Sequence, residues 1–469
     1  MNSLARVASR LMASATAFAF GLAVAGPASA QSAIRDTEIE GIIRGWSDPV
    51  FVAMGLDPAE VEVLLINDPT LNAFAIRGRI MGLNTGMILA TDSPNELLGV
   101  IAHEAGHIKN RHLLRDGASE AGMQPFLMTM ALGALAAVAG APGAGAMLMA
   151  NSQYFGTLSA LRYMQSQEGE ADITGARALE SAGESGRGLV EFFENMRSQE
   201  VFSEARRYPY FRSHPLSGQR IEALRRPVEA AAHYDQHDSP ERLAEHALIV
   251  AKIRAFMDAP TLTLRTYPAS DTSLPARYAR AIAWYRDGQT DKALAAVDVL
   301  LGEQPDDPYY WELKGQILFE EGRPAEAIES HARAVQLKPD APLLRINLAH
   351  ALIETNDPAN LDRAVDELKR AVAREDDNTL AWRLLSQAYA SQGKEGEARL
   401  ASAEYWFAAG QQEQATQFAL RARDMLDRDS NEWRRAMDIV FASGATAADV
   451  EDLERRQQRD RPAILTPAS

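Results

Sequence analysis

The chain has 469 residues, 46% of them hydrophobic, a net charge of −16 and no cysteine. That length and apolar content suit two or three folded domains and argue against disorder. The missing cysteine excludes a disulfide framework and a lipid-modified cysteine, and the acidic balance without a basic patch argues against binding to nucleic acid or to anionic lipid.

Residues 1–30 read as a secretory signal peptide. Arg6 and Arg10 precede an apolar run over residues 11–25, and Ala28-Ser29-Ala30 follows Pro27 as a small-residue cleavage pattern. An uncleaved membrane anchor is the alternative. Export to a bacterial periplasm accords with both the signal and the lack of cysteine. Residues 36–46 read as a short amphipathic helix. Residues 61–66 and 72–76, separated by Asp68-Pro69, read as strands, and residues 80–88 as a third strand pair or a strand and turn.

Ser93 and Glu96 then make a capping box with Pro94 at the first helical position, and Leu97, Leu98, Ile101 and Ile108 supply an apolar stripe. Inside this predicted helix lies His103-Glu104-Ala105-Gly106-His107, which reads H-E-x-x-H. Residues four apart share a helix face, so both imidazoles can reach one Zn²⁺ at about 2.0–2.1 Å. Glu104 points into the same space and can take a proton from a water that the metal activates. A chance histidine pair on an amphipathic helix is the bland alternative.

Residues 121–161 contain no Asp, Glu, Lys or Arg, and Gly140-Ala141-Pro142-Gly143 breaks the run. A buried helical hairpin, a hairpin dipping into a membrane surface and a two-helix span all stay open, because neither half reaches the roughly 20 residues of a spanning helix. Met123, Met128, Met130, Met147 and Met149 suit an adaptable apolar surface and are equally ordinary in a core. A catalytic zinc needs a third protein ligand. Glu168 and Asp172, four apart in Gln167-Glu168-Gly169-Glu170-Ala171-Asp172, are candidates on one helical face. Spacing alone leaves a solvated acidic helix start as an equal reading.

Four features in order resemble the M48 family of gluzincin peptidases: Asn72-Ala73-Phe74-Ala75, the H-E-x-x-H motif, E-x-E-A-D over residues 168–172, and His214-Pro215 with Arg220 six residues after the histidine. One departure is visible, since Arg77-Gly78-Arg79 stands where the family usually has a P-G-G turn. The resemblance implies one zinc per chain, held by His103, His107 and Glu168, with Glu104 as general base and Asp172 and Arg220 orienting the ligands. It makes His214 either an oxyanion donor or a fourth zinc ligand that keeps the enzyme latent. The residue alone reads as a structural histidine before a proline.

From about residue 274 a repeat of roughly 34 residues appears. Trp311, Gly315, Leu318, Gly322, Ala327, Ala334 and Pro339 fit tetratricopeptide positions. An earlier copy shows Trp284, Gly288, Ala293 and Pro305, and a later one shows Ala349, Leu352, Ala364 and Ala371 with a short insertion near Asp357-Pro358. Trp382, Tyr389, Gly393 and Ala398 begin a further copy, and Gly410 and Ala415 a last helical pair. His331 and His350 read as surface or packing residues.

The expected fold is mainly α: an α+β gluzincin-type domain with a small sheet over residues 31–227, a helical connector over 228–271, and an α-solenoid of repeats over 272–460. An exported peptidase joined to such repeats resembles the periplasmic protease-chaperones of outer-membrane protein assembly. That resemblance implies degradation of misassembled outer-membrane proteins, and contact with their assembly machinery through the repeats. The alternative is a zinc-stabilised chaperone or scaffold without essential proteolysis. The intact Glu104 argues against it, because a purely structural zinc needs no base.

Overall fold

The computed structural model describes residues 33–76, 79–112, 128, 142–200, 210, 214–444 and 455. The proposed signal peptide, the Arg77-Gly78 turn and the first half of the uncharged segment, apart from residue 128, lie outside them. The described chain is mainly helical, with one four-stranded sheet.

Strands β1 (Ala33–Ile34), β2 (Glu62–Ile66), β3 (Ala73–Ile76) and β4 (Ile80–Asn84) lie in the order β1-β2-β4-β3. β2 runs parallel to β4, and the other two pairs are antiparallel. Among the described residues β3 is therefore an edge strand, with one side unpaired in the sheet. Helix α1 (Thr37–Ala53) is longer than the short helix expected at 36–46. Its apolar stripe of Ile39, Ile43, Trp46, Val50 and Phe51 stays buried along its length. Pro49 removes only one ladder donor. The segment 80–88 divides into β4 and a short helix α2 (Thr85–Ala90).

Helix α3 (Pro94–Lys109) carries the H-E-x-x-H motif and starts as its capping residues dictate. The Ser93 hydroxyl accepts from the Glu96 N–H at 3.1 Å, and the Glu96 carboxylate accepts from the Asp92 N–H at 2.7 Å. Helix α4 (Pro142–Ser181) is one continuous helix of 40 residues. The second half of the uncharged run thus extends directly into the segment bearing Glu168. Among the described residues no helix is long and apolar enough to cross a membrane. Helices α5 (Arg187–Glu200) and α6 (Gly218–Glu229) complete the packing around α3, with Leu189, Phe192, Phe193 and Leu224 in the shared core.

Helix α7 (Pro240–Met257), followed by α8 (Pro260–Thr266), is more than a connector. Its Ile249 and Ile253 belong to the core around α3, whereas Ala251 and Ala255 belong to the first core of the repeats. Between those faces Lys252 is buried, with Nζ 2.8 Å from both Asp36 and Glu38, and the Tyr278 hydroxyl donates to Glu38 at 3.1 Å. A buried charge of this kind is tolerated only when paired.

The repeats follow as helix pairs: α9 (Leu274–Arg286) with α10 (Thr290–Glu303), α11 (Pro308–Glu320) with α12 (Pro324–Leu337), α13 (Pro342–Glu354) with α14 (Pro358–Val372), α15 (Thr379–Ser391) with α16 (Glu395–Ala408), and α17 (Gln412–Arg423) with α18 (Asn431–Ala442). The turn inside each of the first three pairs needs a left-handed residue: Gly288 at φ 71°, Gly322 at φ 76° and Asn356 at φ 54°. Asparagine is the non-glycine residue best suited to that conformation.

Candidate metal centre

The site is built where α3 and α4 approach more closely than side chains ordinarily permit. A Cβ on Gly106 would lie 2.7 Å from the Ala171 carbonyl oxygen, and one on Gly175 would lie 2.9 Å from that of Ala102. The two small residues bring His103 and His107 of α3 opposite Glu168 and Asp172 of α4. All four are buried, as is Glu104. His214, from the segment before α6, enters the same space, its ring stacked obliquely on Tyr210 at 4.8 Å.

The donor atoms converge. His103 Nε2 lies 3.2 Å from both His107 Nε2 and His214 Nδ1. Glu168 Oε2 lies 2.9 Å from His214 Nδ1 and 3.5 Å from His103 Nε2, and Glu168 Oε1 lies 3.4 Å from His107 Nε2. One donor from each of these four residues falls within 4.8 Å of every other. The corners of a tetrahedron around zinc at ~2.0–2.1 Å are about 3.3 Å apart. The nitrogens and oxygens present therefore fit a divalent metal with nitrogen and oxygen ligands. Packing three imidazoles edge to edge has no comparable rationale without a cation among their lone pairs.

Charge is distributed to match. Arg220 clamps Asp172 with two contacts of 2.5 and 2.8 Å and touches Glu168 Oε2 at 2.9 Å. Burial works against ionisation of Asp172, but Arg220 and then His103 outweigh it and hold the carboxyl below its usual range. Glu168 is held low in the same way by His103 and His214 against its burial. His103 Nδ1 sits 2.8 Å from Asp172 Oδ1, out of line for a straight hydrogen bond. Burial opposes protonation of His103, yet the two carboxylates raise it to about 9, whereas burial and the neighbouring His103 charge lower His107 to about 2. Glu104 Oε1 makes no hydrogen bond among the described residues and stands 3.5 Å from His214 Nε2.

Every residue singled out in the sequence is therefore brought together: His103, Glu104, His107, Glu168, Asp172, His214 and Arg220. One that sequence reasoning passed over joins them. His112, five residues beyond the motif, is buried with its Nδ1 3.0 Å from His107 Nδ1. In the sequence it is only a third histidine shortly after the motif, with no spacing rule to mark it.

Residues 34–228 match peptidase family M48, and residues 279–432 match the tetratricopeptide domain of cytochrome c-type biogenesis protein H. The chain carries an M48 metalloprotease domain followed by tetratricopeptide repeats. The M48 match spans the sheet, the H-E-x-x-H helix, Glu168 and His214, that is, all the parts that meet at the cluster. The chain is 26% identical over 354 residues to the beta-barrel assembly-enhancing protease of Yersinia pestis, covering 75% of this chain and 72% of that protein. It is 27% identical over 379 residues to the putative beta-barrel assembly-enhancing protease of Vibrio cholerae, covering 78% and 76%. A crystal structure of MamA covers 38% of this chain at 20% identity and a TM-score of 0.28.

Proposed function

We propose that this chain is an exported zinc endopeptidase of the periplasm that degrades misassembled outer-membrane proteins and assists their assembly. The observation that carries the peptidase reading is the buried set of His103, His107, Glu168 and His214 donors with the carboxylate of Glu104 beside it. Export rests on the signal-like residues 1–30, and the substrate class on the names of the two relatives above.

His103, His107 and Glu168 would hold the zinc. When bound there, zinc polarises a peptide carbonyl and lowers the pKa of water to about 7. Glu104 takes the proton from the attacking water at its carboxylate, stores it out of bulk solvent, and returns it to the leaving amine. Asp172 and Arg220 keep the His103 ring in place, so that little reorganisation accompanies the reaction. β3, the free edge beside α3, can pair with the backbone of an extended substrate.

His214 would act as a fourth ligand that restrains, without abolishing, the activity of the site. Its Nδ1 is turned toward Glu168 and His103, while its Nε2 lies 3.5 Å from Glu104 Oε1. Closed structural zinc sites have four protein ligands, and catalytic ones keep a position open. Removing this ring should therefore activate the enzyme, whereas an oxyanion donor would be missed. Hydrolysis of an unstructured peptide by His214→Ala separates the two roles. A rise supports closure, and a loss assigns the residue to the transition state.

The repeats would recruit partners. A cavity of about 570 Å³ opens between the start of the M48 domain, α7 and helices α11–α13 of the repeats, lined by Asp36, Phe256, Glu312, Phe319 and Asn347 among others. Stacked helix pairs commonly bind protein segments along such faces. Pull-downs from envelope extracts with the full chain and with a chain ending after Thr266 test this. Unchanged recovery of assembly components after truncation would sink the recruitment reading.

A further inference from the structure

We propose that His112 is a positioning residue for the metal centre, fixing the tautomer and orientation of His107 through a His107–His112–Glu170 relay. The proposal rests on the reading of His107 as a metal ligand.

An imidazole that offers Nε2 to a metal carries its proton on Nδ1, and that proton needs an acceptor. His103 has the Asp172 carboxylate on that side at 2.8 Å, a close charged contact though not a straight hydrogen bond. On the corresponding side of His107 stands the Nδ1 of His112 at 3.0 Å, with the ring centroids 5.0 Å apart and the planes at 76°. For His112 Nδ1 to accept, its own proton must sit on Nε2. That atom faces Glu170 Oε2 at 3.4 Å. The geometry thus selects one tautomer for each ring, and the direction of donation runs outward from the metal site to a carboxylate at the surface. Glu170 is largely exposed, so the relay ends in water instead of burying a second charge.

Local structure places His112 for this task. Helix α3 ends at Lys109, the Asn110 N–H donates to the Gly106 carbonyl, and Arg111 adopts φ 56°. A left-handed residue just past a helix end reverses the chain. The reversal folds the His112 ring back over the last turn, where His107 sits. The Asn110 amide donates to the Thr174 hydroxyl at 3.0 Å and pins this turn to α4. The helix that supplies Glu168 therefore also holds the turn that supplies His112. His112 makes no contact with the converging donor atoms themselves, so it acts through His107.

Zinc affinity of the full chain, measured by chelator competition, tests the proposal in wild type, His112→Ala, His112→Asn and His107→Ala. His112→Ala should weaken zinc binding about 10–100-fold, the usual consequence of losing such an orienting partner. His112→Asn, whose amide oxygen takes the place of Nδ1 as acceptor, should recover most of that loss. Wild-type affinity in His112→Ala overturns the proposal, as does an equal loss in both His112 variants. Should His112→Ala fail to fold, nitrogen NMR of histidine-labelled, zinc-loaded wild type decides. A proton on His112 Nε2 and none on Nδ1 is expected, and a proton on Nδ1 overturns the relay. His107→Ala distinguishes failure of the underlying reading: wild-type zinc affinity there would mean that His107 is no ligand at all.

Discussion

Individual side chains at the centre differ in what they contribute, and substitution separates them. His103 stands at the middle of the cluster, with its Nε2 toward His107, His214 and Glu168 and its Nδ1 toward Asp172. His103→Ala should lose stoichiometric zinc, as read by metal analysis of purified protein, and full occupancy would remove it from the ligand set. Asp172 and Arg220 form a bidentate buried pair. Truncating one partner strands the other's charge, which typically costs about 3–5 kcal/mol. Arg220→Ala should accordingly lower the melting temperature as well as zinc affinity; a change in affinity alone would show that the pair orients without stabilising. At this scale the sequence was most readable. The i, i+4 spacing of His103 and His107 carries its own geometry. Glu168 was legible by residue type, but its spacing was equally that of a solvated helix, and only the approach of α4 to α3 tells them apart. His112 was not legible. Its role depends on Arg111 turning left-handed, and arginine gives no advance sign of that conformation.

At the level of elements, the site depends on how closely two helices pass. Gly106 and Gly175 lie against the backbone of the facing helix, at distances that a methyl group could not occupy without displacing it. Gly106→Ala leaves every ligand intact yet should push α4 away, carrying Glu168 with it. Overpacking of this kind costs typically ~1–3 kcal/mol. We expect a lowered melting temperature together with weakened zinc binding, measured by thermal unfolding and chelator competition. An unchanged variant would show that the helix contact does not position Glu168. Glycine inside H-E-x-x-H could not be recognised from the sequence as a contact residue, because the partner helix lies more than sixty residues away along the chain. Elements set by local rules were read correctly: the capping box starts α3, and the runs at 61–66 and 72–76 form strands that each begin one residue later, at Glu62 and Ala73. The continuity of α4 was not foreseen. The glycine-proline break at 140–143 reads as an interruption, yet Pro142 and Gly143 already belong to α4, and proline is well tolerated in a first helical turn.

On the scale of the whole molecule, the repeats and the M48 domain share α7 and a buried charge network. The buried part joins Lys252 to Asp36 and Glu38, and at the exposed surface Arg35 reaches Glu375 at 2.8 Å. The repeats therefore contact the first residues of the M48 domain as well as following it in the chain. Nothing in the composition of residues 228–271 announced this, because a helix buried on two faces lacks the single apolar stripe that marks a surface helix. Glu312 on α11 lies at the junction and accepts from Asn347 at 3.1 Å. Glu312 lines the cavity and is only half-buried, yet desolvation by the surrounding protein pushes its carboxyl up to about 8 against the pull of Lys252, with Asp36 and Glu38 adding to the rise. The folded chain then holds a proton that the unfolded chain releases near pH 4.3. Stability from this group is present below that pH and is lost as pH rises toward about 8. Glu312→Gln removes the dependence, so its melting temperature should fall less than that of wild type between about pH 5 and pH 8. Parallel profiles would show that Glu312 is not desolvated at the junction.

The central claim is that a metal held by His103, His107 and Glu168 works together with Glu104 to hydrolyse peptide bonds. Zinc content and hydrolysis of an unstructured protein substrate, measured side by side for wild type and Glu104→Gln, test it most directly. The account predicts about one zinc per chain in both proteins, and hydrolysis reduced by roughly 10²–10⁴-fold in the variant. Undiminished hydrolysis by Glu104→Gln, or wild-type protein that cleaves equally well after its metal is stripped, would contradict it.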